Sequence, residues 1–247
     1  TEGLVGSEMC IRDRYEAIYH AGVYNRANVI IKWLDSETIN SRNVKDLLNS
    51  AAGILIPGGF GNRGINGKIE AIRFARENQI PFLGICLGMQ LSIIEFARNV
   101  LKIKNSGSSE FGSYKNNIIS LMTEWNSKNQ IVKRTKNNDL GATMRLGSYP
   151  CYLKPTSLAS RIYKKKLINE RHRHRYEVNP KFRTSFEKSD MVFSGFSKDK
   201  KLLEIVENKK HKWFLAVQFH PELKSKPFKP HPIFLSFIKN SLNHKNG

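Results

Sequence analysis

The sequence is poor in acid. Its 247 residues carry 21 Asp and Glu against 41 Lys and Arg, a net charge of +20 with histidine neutral. Cysteine is scarce too, and three residues give no even disulfide framework. This excludes the small disulfide-stapled secreted class and points to a reducing, cytoplasmic location. No apolar run is long enough to cross a bilayer. The apolar-rich stretch at residues 81–94 is broken by glycines and falls short of the roughly 20 residues a span requires. No secretory leader, internal repeat or inter-domain linker is legible, and no membrane partner is expected.

What is present is ordinary for a globular chain: 40% hydrophobic and 25% charged residues, at a length that can bury a full core. The lysines are scattered, densest at 164–166 and around 209–212, with no aromatic-interleaved nucleic-acid motif among them. The charge therefore reads as solvated lysine-rich faces. A basic nucleic-acid-binding protein is the non-enzyme alternative, and nucleic acid is not an expected partner.

Residues 4–13, "LVGSEMCIRD", lack periodicity and resemble a translated sequencing adapter. Residues 1–14 are therefore expected to be non-native and are left out of the fold reasoning, with residues 15–247 forming one domain.

Beyond them, strand-like and helix-like stretches alternate. Residues 29–34, 53–56 and 81–85 are short apolar strand candidates; residues 44–51, 66–78 and 87–98 have helical spacing. This pattern predicts a flavodoxin-like α/β fold, with a mostly parallel sheet covered by helices on both faces. Later strands are expected at 116–121, 151–153, 191–196, 202–206 and 213–219, and a closing helix at 232–242. Residues 99–115 form a polar loop long enough to suspect function.

The chemistry centres on Gly84-Ile85-Cys86-Leu87-Gly88. This is the spacing of a nucleophile elbow, with cysteine where many hydrolases carry serine. A sharp strand-to-helix turn lifts the thiol to the carboxyl edge of the sheet, and flanking glycines avoid side-chain clashes. The helix N-terminus favours thiolate, and the Leu87 N–H points where an oxyanion would form.

Phe219-His220-Pro221-Glu222 closes a strand-like run. In an extended segment His220 and Glu222 face the same way, so the imidazole can take the thiol proton while the carboxylate fixes its tautomer. The "LIPGGFGNRG" stretch offers bare backbone amides suited to an oxyanion hole, and lacks the Gly-Lys-Ser/Thr ending of a nucleotide P-loop. Read without a relative, "RHRHR" at 171–175 is a basic loop, and its histidines lack the further ligands a metal site needs.

With these elements in place, the chain resembles class I glutamine amidotransferases of the triad type, and among them the glutaminase domains of CTP synthases. "PGGFGNRG", "RFARENQIPFLGICLGMQ", "SSEF", "DLGATMRLG", "RHRHRYEVN" and "QFHPE" carry the resemblance, in family order, from about residue 16 to the end.

The resemblance implies Cys86 as nucleophile, His220 as base and acid, and Glu222 as its orienting partner. It implies Gly59 and Leu87 as oxyanion donors, and Leu87, Gly88, Met89, Gln90, Glu110 and Arg175 as contacts to L-glutamine. An anion and a guanidinium suit the ammonium and carboxylate of a free amino acid. This disfavours the other readings of the same thiol chemistry, a different class I glutaminase or a γ-glutamyl hydrolase.

It further implies a ligase of pyrimidine biosynthesis. Its synthetase domain, absent from this fragment, would use ATP and Mg to aminate UTP. GTP would activate the whole enzyme, a homo-tetramer. No cofactor is implied for the glutaminase domain itself. Compared with the family, the sheet is expected to lack its first strand.

Overall fold

The computed structural model describes residues 5–121, 124–127, 130–133 and 144–246, with side chains described at 12–121 and 144–246. The chain begins with α1 (Val5–Tyr24), α2 (Val44–Leu48), β1 (Ile54–Ile56), α3 (Ile65–Glu77), β2 (Phe82–Ile85) and α4 (Leu87–Asn99). Three short pieces follow: β3 (Ser106–Ser108), β4 (Asn116–Leu121) and the paired β5 (Glu124–Ser127) and β6 (Gln130–Lys133). Next come β7 (Arg145–Leu153), α5 (Leu158–Tyr163), β8 (Leu167–His174), β9 (Tyr176–Val178) and α6 (Arg183–Glu187). The chain finishes with β10 (Met191–Phe196), β11 (Leu203–Asn208), β12 (Phe214–Val217) and α7 (Pro232–Asn246).

Seven strands form the main sheet in the order β1-β2-β12-β11-β10-β7-β8. As expected, the fold is α/β with helices on both faces. Alternation along the strands divides the core: Phe82, Phe214 and Ala216 join the layer containing α3 and α4, while Leu83, Ile85, Leu215 and Val217 face α1, α5 and α7. Within this sheet, expected to be mostly parallel, parallel pairing is confined to β1–β2 and β2–β12, and the other four pairings are antiparallel. The short connections from β10 to β11 and from β11 to β12 leave no room for a crossover helix, so those strands must run antiparallel.

The helices follow from their burial. From Leu87 to Ala97 every residue of α4 is buried, as befits a helix between a sheet and a second layer. On α3 only Gly67, Ile69, Ala71, Ile72 and Ala75 are buried. Arg76 joins the two helices: its Nη2 lies 2.8 Å from Glu95 Oε1, and its Nε contacts both carboxylate oxygens of this wholly buried residue.

Two expectations change. Residues 29–34 belong to no strand of the structure. Their β-branched composition suits a strand, but the main sheet ends at β1 and offers them no ladder, and Ile30 is 87% exposed. Residues 171–175 are no loop: β8 runs through His174 with strict alternation, placing His172 and His174 inward and Arg171 and Arg173 outward. The first part of "DLGATMRLG", residues 139–143, lies outside the described residues. Residues 5–14 continue as helix into α1, where Ala17, Ile18 and Ala21 join the core.

Candidate active site

Cys86 sits between β2 and α4, as the elbow spacing requires. Its backbone has φ 51° and ψ −103°, a conformation that costs a non-glycine residue about 1–3 kcal/mol. The turn is fastened at both ends: the Cys86 N–H donates to Val217 O at 2.7 Å, and its carbonyl accepts from Gln90 N at 3.1 Å. A side chain at Gly88 would place Cβ 2.1 Å from Ile56 O, so only glycine lets β1 pass this close to the start of α4.

His220 follows β12, and its backbone N–H donates to Arg171 O on β8 at 2.8 Å. Its Nδ1 lies 2.8 Å from Glu222 Oε1. The two residues are not on an extended segment, since Pro221–Lys224 is a 3-10 turn with Pro at its start. That turn, rather than strand alternation, brings the carboxylate to the ring. The His220 side chain is 9% exposed and the Glu222 side chain fully buried, so the pair is held away from water.

Burial alone would lower the His220 pKa. The Cys86 sulfur and the Glu222 carboxylate more than offset this and raise it to about 10. The imidazolium is thus the favoured form beside the sulfur. Among the described residues Nε2 has no hydrogen-bond partner. Gln218 Nε2 approaches the same sulfur at 3.7 Å, and Gln218 Oε1 accepts from Gln90 Nε2 at 3.2 Å.

The loop after β1 forms the opposite wall. A Cβ at Gly58 would lie 2.8 Å from His220 Cε1 and 3.3 Å from Cys86 Cβ. At Gly59 it would lie 3.4 Å from Leu87 Cδ2, so this stretch of backbone passes over the first turn of α4. The Leu87 amide belongs to that turn, where N–H groups have no intrahelical acceptor.

Glu110 Oε1 accepts the Gly61 N–H at 3.0 Å. Burial raises the Glu110 pKa, while the Gly61 N–H and the charge of Arg175 counter it. Arg175 Nε is buried with no hydrogen-bond partner among the described residues. A carboxylate and a guanidinium with free capacity therefore share one electrostatic neighbourhood, and Glu110 reaches the glycine loop. Met89 is wholly buried in the core, and Gln90 Nε2 is engaged by Tyr176 O at 3.1 Å as well as by Gln218.

Behind His220 lies a buried polar cluster. Arg145 Nη2 meets Glu204 Oε1 at 2.6 Å, and His172 Nδ1 meets His174 Nε2 at 2.9 Å. Burial and then the charge of Arg145 push both histidine pKa values well down. Among the described residues, no three His, Cys, Asp or Glu side chains are arranged to hold a metal ion.

The sequence reading missed Gly58 and Gln218. Gly58 is one of two adjacent glycines and carries no signal of its own. Gln218 precedes "FHPE" by one residue, and only the alternation along β12 could have pointed it to the sulfur's side.

A cysteine on a strained strand-to-helix turn, faced by a His–Glu pair and a glycine loop, is an arrangement able to support thiol nucleophilic chemistry. The chain belongs to the class I glutamine amidotransferase family, which matches residues 11–240. Its relatives include the CTP synthase of Pelagibacter ubique, 54% identical over 246 residues, covering 98% of this chain and 46% of that protein. The CTP synthase of Paramagnetospirillum magneticum is 50% identical over 242 residues, 96% of this chain and 45% of that protein. A Trypanosoma brucei CTPS glutaminase domain with bound acivicin superposes with a TM-score of 0.85 at 32% identity, covering 98% of this chain and 91% of that one. The chain thus spans about half the length of the curated relatives it matches. Among the described residues, no helix is long and apolar enough to cross a membrane.

Proposed function

We propose that this chain hydrolyses the side-chain amide of L-glutamine and passes the ammonia to a synthetase domain of the same polypeptide. The observation that carries this is the convergence of Cys86, His220 and Glu222 beside Gly58 and Gly59. The Cys86 sulfur attacks the amide carbon, and the resulting oxyanion is received by the N–H groups of Gly59 and Leu87. The C–N bond breaks as His220 gives its proton to the departing ammonia. A water then loses a proton to His220 and attacks the thioester, releasing glutamate and the thiol. Glu222 holds the ring through Nδ1 so that Nε2 faces the sulfur.

Glu110 receives the α-ammonium and Arg175 the α-carboxylate, with Gly88, Met89 and Gln90 shaping the pocket beneath. The names of the relatives support CTP synthesis as the use of the ammonia. In that setting ATP and Mg serve the synthetase domain, which aminates UTP, GTP stimulates the glutaminase, and the whole enzyme assembles as a tetramer.

The decisive experiment is trapping of Cys86 by a glutamine-like electrophile, read by mass spectrometry. Labelling is expected at Cys86, slowed by glutamine and lost in Cys86→Ala. Labelling elsewhere, or no protection by glutamine, overturns the reading.

A further inference from the structure

The register of β2 and β12 carries a buried amide to the nucleophile. The two strands pair in parallel with Val217 opposite Ile85, so the next residues, Gln218 and Cys86, emerge side by side where the ladder ends. Gln218 is wholly buried, and its Nε2 lies 3.7 Å from the Cys86 sulfur as a hydrogen-bond donor.

An amide can present either end, and a chain of contacts decides which end this one presents. Tyr176 O is a main-chain carbonyl that can only accept, and it lies 3.1 Å from Gln90 Nε2. That end of Gln90 is therefore a donor, and its second N–H goes to Gln218 Oε1 at 3.2 Å. With its oxygen engaged in this way, Gln218 turns its NH2 group to the sulfur. Gln90 is itself buried, so the arrangement is held out of water.

Such a donor distinguishes the two forms of the sulfur. A thiolate is a strong acceptor and a thiol a weak one, so the N–H favours the anion. An amide has no proton to titrate. Its support therefore persists at every pH and after His220 has given its own proton away.

We propose that Gln218 is a further catalytic residue, whose Nε2–H donates to the Cys86 sulfur and favours its thiolate form before attack and again as it leaves the thioester. The proposal rests on the reading of Cys86 as the nucleophile.

The test is the rate of Cys86 alkylation by iodoacetamide against pH, followed by mass spectrometry of the Cys86 peptide so that other cysteines are counted apart. Gln218→Met keeps an unbranched side chain of similar length and removes the donor. Loss of one charge-assisted hydrogen bond should move the rise of the rate to higher pH by about one unit, a roughly ten-fold loss on the acid side. The plateau at high pH should instead rise by about three-fold, because a less stabilised thiolate is the better nucleophile. A packing defect would not slow one limb and speed the other. The ionisable groups around the sulfur are His220, with Glu222 and Asp13 beyond it, and His172 and His174 on β8; the variant alters none of them. An unmoved profile, or a rate lowered equally at every pH, overturns the proposal.

A second readout uses the parent chain and does not depend on the variant folding. The sequence has four glutamines, so isotope labelling of glutamine alone gives four side-chain amides in the NMR spectrum. The Gln218 pair should shift over the same pH range as the alkylation rate, and cease to do so in Cys86→Ala. Gln79, whose Oε1 accepts the Lys212 N–H, should stay still in both. A Gln218 pair indifferent to Cys86 overturns the proposal. Protection by glutamine separates this proposal from the one beneath it. If glutamine slows alkylation of the parent and the profile of Gln218→Met is unmoved, the role of Gln218 alone falls. If glutamine gives no protection, the glutaminase reading falls and takes the role of Gln218 with it.

Discussion

His220 and Glu222 meet through Nδ1 and Oε1 at 2.8 Å, while the ring's other nitrogen and the carboxylate's other oxygen are buried with no hydrogen-bond partner among the described residues. One edge of the imidazole is thus committed to orientation and the other left for chemistry. Glu222→Gln keeps the shape and removes the charge, so the His220 pKa should fall from about 10. A His raised above its unfolded value of 6.5 contributes stability that is complete below 6.5 and lost as pH rises through 10. The variant should lose part of this contribution at every pH below about 10, most fully below 6.5. Glutaminase kcat should drop by about 10²–10⁴, the range for disabling a positioned base. Denaturation at pH 7 and pH-dependent kcat would check both effects.

Gly58→Ala tests the packing of the opposite wall. Its Cβ would lie 2.8 Å from His220 Cε1, forcing the ring or the loop to move. A misplacement of about 1 Å costs on the order of 10² in rate. The expected result is a folded protein with unchanged circular dichroism and a strongly reduced kcat. A wild-type rate would show that the loop yields freely.

The proposed glutamine contacts should separate binding from chemistry. Arg175→Lys keeps the charge but gives up the fork, so KM for glutamine should rise by about ten-fold, with kcat changed less. Steady-state kinetics with free glutamine would measure this. Labelling of Cys86 by a small thiol reagent lacking amino-acid groups should be unaffected.

Stability rests in part on Arg76 and Glu95. Glu95 is wholly buried, and Arg76→Ala strips its partner. Breaking a buried pair in this way costs about 3–5 kcal/mol. Urea unfolding should show the loss, and the double variant Arg76→Leu/Glu95→Leu should recover most of it.

Glu177 gives a pH slope of the same sign as that of His220, displaced to a lower pH window. Burial raises its carboxyl to about 8, against the charge of Arg145 and assisted by Glu204. The folded state therefore holds a proton that the unfolded state releases near 4.5, and this site disfavours folding increasingly from pH 4.5 to 8. Glu177→Gln removes that slope. Its stability relative to the parent should grow between pH 5 and pH 8, as read by urea midpoints.

Much of the site was legible in the residues. Cys86 between Gly84 and Gly88 requires a sharp turn in any context, and the structure supplies one, down to the close approach at Gly88. The helices at 65–77 and 87–99 follow their apolar spacing. What composition could not supply was the partner of each strand. Residues 29–34 have the right residues for a strand and no neighbour to bond, whereas 167–174 hide a strand behind charged letters. Its inward histidines look polar in sequence, and only the buried Arg145–Glu204 pair beside them accounts for their place in the interior. Likewise the 3-10 turn at Pro221 cannot be told from an extended end by periodicity alone.

The backbone at Cys86 has one more implication. Its angles, φ 51° and ψ −103°, are comfortable for glycine alone. Every folded molecule therefore carries a standing penalty of about 1–3 kcal/mol so that one sulfur can stand where it does. Cys86→Gly would relieve it, giving a protein harder to unfold and without the proposed nucleophile. At this single position, selection for a sturdier fold and selection for the thiol pull in opposite directions, and the residue found there records which of them has prevailed.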